Sequence, residues 1–226
     1  SIVMNAEAFE PIAKSLGRLA LAENESISNN ATGQFLQLFH ILLSGTKANL
    51  DARLKVIEYF KTVEGCDELL IKALDHALNG SGFVRSNTSR YKSVNTEPED
   101  YYPYREEVCK YWMHCLDALE RIAKKTIENQ YAVNEVLTKH VSDFQEMGML
   151  SDFLDKLDVF AKEVDYNWNE MRDALSMNLH HWFKGNEEER KQLISWIKKH
   201  IGIKVEVRIW KVYSFIQDQL LLLFLL

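Results

Sequence analysis

The chain has 226 residues, 46% of them apolar and 27% charged, and its 27 basic and 33 acidic side chains leave a formal charge of -6. The apolar fraction is enough for a real core and excludes disorder over most of the length, while the negative charge lacks the field that a phosphate backbone requires, so nucleic acid is not the expected partner. Only three prolines and nine glycines punctuate it, which suits long helices with short connections better than the many turns of an all-β fold.

The N-terminal stretch SIVMNAEAFEPIAKSLG has no basic segment followed by an apolar run, so it does not read as a secretory signal. Cys66, Cys109 and Cys115 form an odd, sparse set without CxxC spacing, which fits a reducing cytosol better than a disulfide framework. In that compartment the Asn-x-Ser/Thr triplets at Asn24, Asn30 and Asn87 are chance matches. A chain that opens on Ser1 and not on Met is expected to be a fragment or a processed form.

Helical periodicity recurs along the chain. In NLDARLKVIEYFKTV the spacing puts Leu50, Leu54, Ile57 and Phe60 on one stripe, and DELLIKALDHAL repeats it with Leu70, Ala73, Leu74, Ala77 and Leu78. The two segments read as an antiparallel pair joined at Glu64, Gly65 and Cys66. A polar insertion over 79–103 follows, and then a long helix carrying Val108, Tyr111, Trp112, Cys115, Leu119, Ile122 and Ala123. Three further helices are predicted over Val133–Met147, Leu150–Val164 and Trp168–Phe183, with Gly148 as a C-cap between the first two. After Gly185, Asn186 and Glu189 have capping-box spacing, and Lys198, Lys199 and His200 complement the far end of the dipole.

In IKVEVRIW the apolar residues Ile203, Val205, Val207 and Ile209 alternate as in a strand, so a distorted helix and an edge strand both remain open there. The terminal run Leu220–Leu226 is too short to cross a bilayer and is expected to be buried, by this chain or by sequence that follows it. Exposed in an isolated chain, it would drive self-association. The expected architecture is all-α, an irregular α-solenoid or helical bundle of stacked antiparallel helix pairs, with about eight or nine helices. Residues 1–200 form the helical array, and 201–226 form a strand-like or helical apolar segment.

Motifs for chemistry are missing. Gly45-Thr46-Lys47 lacks the upstream glycine of a phosphate loop, and Gly80-Ser81-Gly82 lacks its lysine. His180 and His181 are neighbours, so on a helix they point about 100° apart and do not clasp one metal. Cys109, His114 and Cys115 share a helix, but residues six apart lie on different flanks and buried cysteine behaves as a small hydrophobe. Asp117, Glu120, Asp155 and Asp158 fall on polar faces. The stripe Trp168, Met171, Leu175, Leu179, Trp182 and Phe183 has the spacing of core packing. No cofactor or metal is expected.

The insertion divides by charge: Arg85, Arg90 and Lys92 precede Glu97, Glu99 and Asp100, and Tyr101, Tyr102, Pro103 and Tyr104 close it. Long loops that persist in compact domains tend to be functional or disordered. The tyrosine end is expected to be ordered, with Tyr101, Tyr102 and Pro103 packed on the flanking helices and Tyr102 contributing a buried ring. Arg85 to Thr96 is expected to be mobile and exposed. The candidate partner-binding residues are therefore Arg85, Arg90, Lys92, Tyr101, Tyr102 and Tyr104.

The run LFHILLSGTKANLDARLKVIEYF, then LLIKALDHAL, then the insertion ending EDYYPYREEVCKYW resembles a helical region in the C-terminal half of large bacterial STAND-type NTPases, many of them implicated in antiviral defence. Leu38, Ser44, Gly45, Arg53, Leu74, Tyr102, Pro103 and Trp112 occupy the matching positions, and the similarity covers roughly Leu36 to His200. SNTSRYKSVNTEPED stands where the pattern has a glycine-arginine cluster. The resemblance implies a non-catalytic sensor or scaffold region of a larger cytoplasmic protein that binds protein partners, with the NTPase outside this chain. Two rival readings are a free-standing helical adaptor and a small enzyme using Cys109 or His114.

Overall fold

The computed structural model describes residues 7–23, 30–81, 100–163, 169–179 and 186–201. All regular structure among them is helical, and the expected all-α class holds. The elements are α1 (Phe9–Ala22), α2 (Ala31–Gln37), α3 (Leu50–Phe60), α4 (Asp67–Leu78), α5 (Arg105–Ala123), α6 (Ile127–Lys139), α7 (Val141–Glu146), α8 (Leu150–Glu163), α9 (Asn169–Met177) and α10 (Glu187–Ile201). No helix among the described residues is long and apolar enough to cross a membrane. The possible strand at 203–210 and the run 220–226 lie outside the described residues, as do Arg85, Arg90, Lys92, His180 and His181.

The chain forms two compact units, Ser1–Tyr166 and Asn167–Leu226. In the first, α1 packs on α2 and α3, α2 on α4, α3 on α5, and α4 on both α5 and α6, so the main partners of each helix lie one or two elements away. Such a stack grows along the chain and can be built from local hairpins. In the second unit α9 packs on α10, and Met171, Leu175, Leu193 and Trp196 are buried. Burial of Met171 and Leu175 agrees with the core stripe read from the sequence.

Local chemistry sets most of the boundaries. Asn30, Asn49 and Thr126 cap α2, α3 and α6 by accepting from the backbone N–H of Gly33, Ala52 and Asn129. At α10, Asn186 Oδ1 accepts from the N–H groups of Glu188 and Glu189, and the Asn186 N–H donates to Glu189 Oε2, the expected capping box. Gly65 and Gly148 hold φ of +73° and +67° in the turns after α3 and α7, a conformation that glycine adopts without steric cost. Gly17 lets α1 approach its neighbours closely: a Cβ there would overlap the rings of Phe60 and Phe35.

Two expected details change. On α3 the buried stripe is Leu50, Arg53, Val56, Ile57 and Phe60, whereas Leu54 is half-buried. The helix expected over 133–147 begins earlier, at Ile127, and is broken at His140, where the backbone turns to φ -97° and ψ 8°. This break separates α6 from α7, and ten helices are present among the described residues. The break at His140 sits where its ring is held between side chains of two other helices, as described below.

Candidate functional site

The return end of the insertion is tied to the body of the protein by a buried knot. Arg53, on the core face of α3, is 0% exposed. Its Nη1 donates to the His40 carbonyl, its Nη2 to Ser44 Oγ at 2.9 Å and to the Ala48 carbonyl at 3.0 Å, and its Nε to the same Ala48 carbonyl at 3.2 Å. One guanidinium thus organises the whole connection from α2 to α3. A rigid planar fork suits several fixed oxygens better than an ammonium would. Burial works against the Arg53 charge, and the facing Tyr111, Asp100 and Tyr101 favour it. Leu43, within this connection, has a φ of 53°, a costly value for a branched side chain. Its carbonyl accepts from Gln37 Nε2 at 3.2 Å, which helps fix the turn.

Asp100 and Tyr101 dock on that connection. Asp100 Oδ1 accepts from the Gly45 N–H at 2.7 Å, and the Tyr101 N–H donates to the Thr46 carbonyl at 3.0 Å. The Tyr101 hydroxyl donates to Glu107 Oε1, while Glu107 Oε2 accepts from the Tyr104 N–H at 2.8 Å and closes the first turn of α5. The hydrogen bond to the Glu107 carboxylate pushes the Tyr101 phenol up to about 12, with burial and the neighbouring negative charge acting in the same direction. Beneath the stem, Tyr111 and Trp112 are fully buried. The Tyr111 hydroxyl donates to the Phe39 carbonyl at 3.3 Å, and Trp112 Nε1 donates to the Ala77 carbonyl of α4 at 2.9 Å.

Of the expected tyrosine anchors, Tyr101 docks on the body of the protein and Tyr102 does not. Tyr102 is 68% exposed and Tyr104 is 77% exposed, while Tyr101 is half-buried. The reason lies in the backbone: Asp100 and Tyr101 spend their polar groups on 45–46 and on Glu107, which leaves the next rings outside. Tyr102 and Tyr104 consequently stand on either side of Pro103 as a solvent-facing aromatic pair on a fixed base. The matching positions Ser44, Gly45 and Arg53 do come together, in the knot; the sequence signal for Arg53 was available, because Leu50, Arg53, Ile57 and Phe60 fall at helical spacing on one face.

A second buried polar cluster went unread in the sequence. His140, 1% exposed, lies between Asp75 of α4 and Asp143 of α7, with Nε2 2.7 Å from Asp75 Oδ1 and Nδ1 2.7 Å from Asp143 Oδ2. Lys139 Nζ also donates to both Asp75 oxygens, at 2.9 and 2.8 Å, and the Gly80 N–H donates to Asp143 Oδ1 at 3.2 Å. On the adjacent residue of α4, His76 stacks on His40 with ring centres 4.8 Å apart, His40 Nε2 and His76 Nδ1 lying 2.7 Å apart. Burial lowers the pKa of both these rings, His40 to about 4.

Two of the three cysteines, Cys66 and Cys115, are poorly placed for nucleophilic work. Cys115 is buried and its thiol is pushed well above the ordinary range by burial, while the buried Cys66 is raised for the same reason and donates to the Phe60 carbonyl. Cys109 is half-buried, and His114 is exposed on α5. Asp117 and Glu120 are not simply solvated: both pair with Lys156 of α8. No group of three His, Cys, Asp or Glu side chains among the described residues is arranged to hold a metal ion.

The fold and the knot thus define an all-α chain of packed helix pairs that presents an anchored aromatic stem. The chain matches no family model, no curated protein and no solved structure.

Proposed function

We propose that this chain is a non-catalytic protein-interaction and scaffold region of a larger cytoplasmic protein, of the sensor type implied by its resemblance to STAND NTPases. The observation that carries this reading is the pair of exposed rings, Tyr102 and Tyr104, on a stem fixed by Asp100, Tyr101 and Glu107. Tyrosine is enriched at protein interfaces because a rigid amphipathic ring buries a large area at small entropic cost. A prepositioned ring loses less freedom on binding than one on a loose loop. The polar groups of the Arg53 knot and of the His140 cluster are turned inward and serve packing, which favours a scaffold over an enzyme. Arg85, Arg90 and Lys92, the basic residues that the sequence adds to the partner-binding set, lie outside the described residues.

The test is calorimetric titration of the chain against the separately produced remainder of the protein encoded by its reading frame. Binding is expected, weakened at least tenfold by the double substitution Tyr102→Ala and Tyr104→Ala, since central aromatic anchors commonly cost 2 kcal/mol or about that when truncated. A reading frame that encodes nothing further overturns the scaffold-of-a-larger-protein reading. Undiminished affinity in the double variant overturns the tyrosine surface. MgATP titrated into the chain alone is expected to give no binding heat, because the sequence carries no phosphate loop.

A further inference from the structure

The cluster around His140 makes a demand on protonation that geometry alone imposes. Both ring nitrogens lie 2.7 Å from a carboxylate oxygen, and an ionised carboxylate only accepts. A neutral imidazole has one N–H and one lone pair, so it satisfies one aspartate and points a lone pair at the other. The imidazolium has two N–H groups and satisfies both. The ring is 1% exposed, so water has little room to replace the missing donor, and an unsatisfied buried polar contact is costly.

The cluster also bridges three elements. Asp75 lies on α4, Asp143 on α7, and His140 is the residue at which α6 gives way to α7. The other charged groups facing it are Lys139 of α6, on Asp75, and His76 of α4, next to Asp75 and stacked on His40. α5 and α8 meet α7 through rings, with Phe144 against Trp112 and Phe153. From α5, Arg105 also donates to the Met147 carbonyl beyond the end of α7.

We propose that the α4–α6–α7 junction is a proton-operated latch, in which doubly protonated His140 ties α4 to α7 through Asp75 and Asp143, and loss of one ring proton to solvent breaks one of those two ties. The balance of effects on the ring supports it: burial opposes the charge, but the hydrogen bonds and charges of Asp143 and Asp75 outweigh it and raise the His140 pKa. Asp75 is held at about 2, against its own burial, by His140 and Lys139. The latch is thus closed below the raised value and opens as pH rises through it. Because Asp143 also holds the Gly80 N–H, opening is felt at the C-terminal end of α4 as well.

Nuclear magnetic resonance of the whole chain with ring-15N histidine provides the test, since protonation of each ring nitrogen is read directly. One of the seven histidines is expected to keep both ring protons to a pH above the ordinary histidine value, with its signal absent in His140→Gln. In Asp143→Asn that midpoint is expected to fall, because one of the two carboxylates that favour the cation is gone. The wild-type melting temperature should drop by a few degrees as pH rises through the midpoint, and His140→Gln should lose that drop. The latch is overturned if no histidine titrates above the ordinary value, if Asp143→Asn leaves the midpoint unchanged, or if His140→Gln keeps the same pH-dependent drop. Should His140→Gln fail to fold, the wild-type and Asp143→Asn titrations decide the matter without it.

Discussion

Arg53 and His140 are both buried cations, 0% and 1% exposed, and the protein accommodates them in opposite ways. Arg53 is held by neutral oxygens, the carbonyls of His40 and Ala48 and the Ser44 hydroxyl. His140 is held by two carboxylates. The difference follows from acid–base chemistry. A guanidinium stays protonated at any ordinary pH, so uncharged acceptors are enough to make it a permanent tie. An imidazole remains a cation in the interior only if negative charge offsets the cost of burial, and the resulting tie depends on pH. The His40–His76 pair shows the third solution: burial pushes both rings toward the neutral form, with Arg53 adding to it at His40 and Asp75 only partly opposing it at His76.

The largest effect expected from breaking this comparison is that of Arg53→Met. It leaves the His40 and Ala48 carbonyls without their buried donor and should cost about 3 kcal/mol or more, by a similar amount at every pH where the protein folds. Urea denaturation at mildly acid and mildly alkaline pH checks both points. A cost below about 0.5 kcal/mol would mean that the knot adds little to stability.

Next in size is the acid side of the wild-type profile. His40 and His76 have pKa values below the ordinary 6.5, so the unfolded chain takes up protons before the folded one does. Their contribution is complete above 6.5 and is lost as pH falls toward about 4. Substitution of His76 by leucine should flatten this limb. An acid limb that survives the substitution intact would have to arise elsewhere.

Smaller again is the effect of Asp75→Asn, about 1–2 kcal/mol, and its dependence on pH distinguishes a charged clasp from simple packing. The His140 pKa is raised, so its contribution is present below the unfolded value and disappears as pH rises through the folded one. The penalty of Asp75→Asn should therefore shrink at alkaline pH, whereas that of Arg53→Met should not. Equal behaviour of the two variants would remove the distinction between a permanent and a titrating tie. The smallest effect belongs to Tyr102→Ala: with its ring 68% exposed, stability should change by no more than about 0.5 kcal/mol. A larger loss in a thermal melt would place that ring in the packing after all.

Much of the scaffold is legible in the chain because its determinants are local. The caps at Asn49 and Asn186 and the turns at Gly65 and Gly148 each depend on residues within a few positions of one another, and helical spacing correctly marks Trp112, Cys115 and Leu119 as core. Arg53 was half-legible: its place on the stripe with Leu50, Ile57 and Phe60 is a matter of spacing, but a charged residue there invites the reader to slide the stripe to Leu54. The oxygens that make Arg53 acceptable in the core belong to a loop whose path periodicity does not describe.

Sequence by itself, then, determined that the described residues are helical, where helices such as α4 and α8 start and stop, and which faces are apolar, since those properties follow from contacts three or four residues apart. Tertiary structure decided which polar side chains are interior and in what state of charge. His140 meets Asp75 across 65 positions and Tyr111 reaches the Phe39 carbonyl across 72, and the burial that shifts a proton or makes a hydrogen bond obligatory exists only once helices distant in the chain have closed around it. The choice between Tyr101 and Tyr102 was settled in the same way. Neighbouring tyrosines are equivalent in composition, and only the docking of Asp100 and Tyr101 on Gly45 and Thr46 turns one ring inward and leaves the other in solvent.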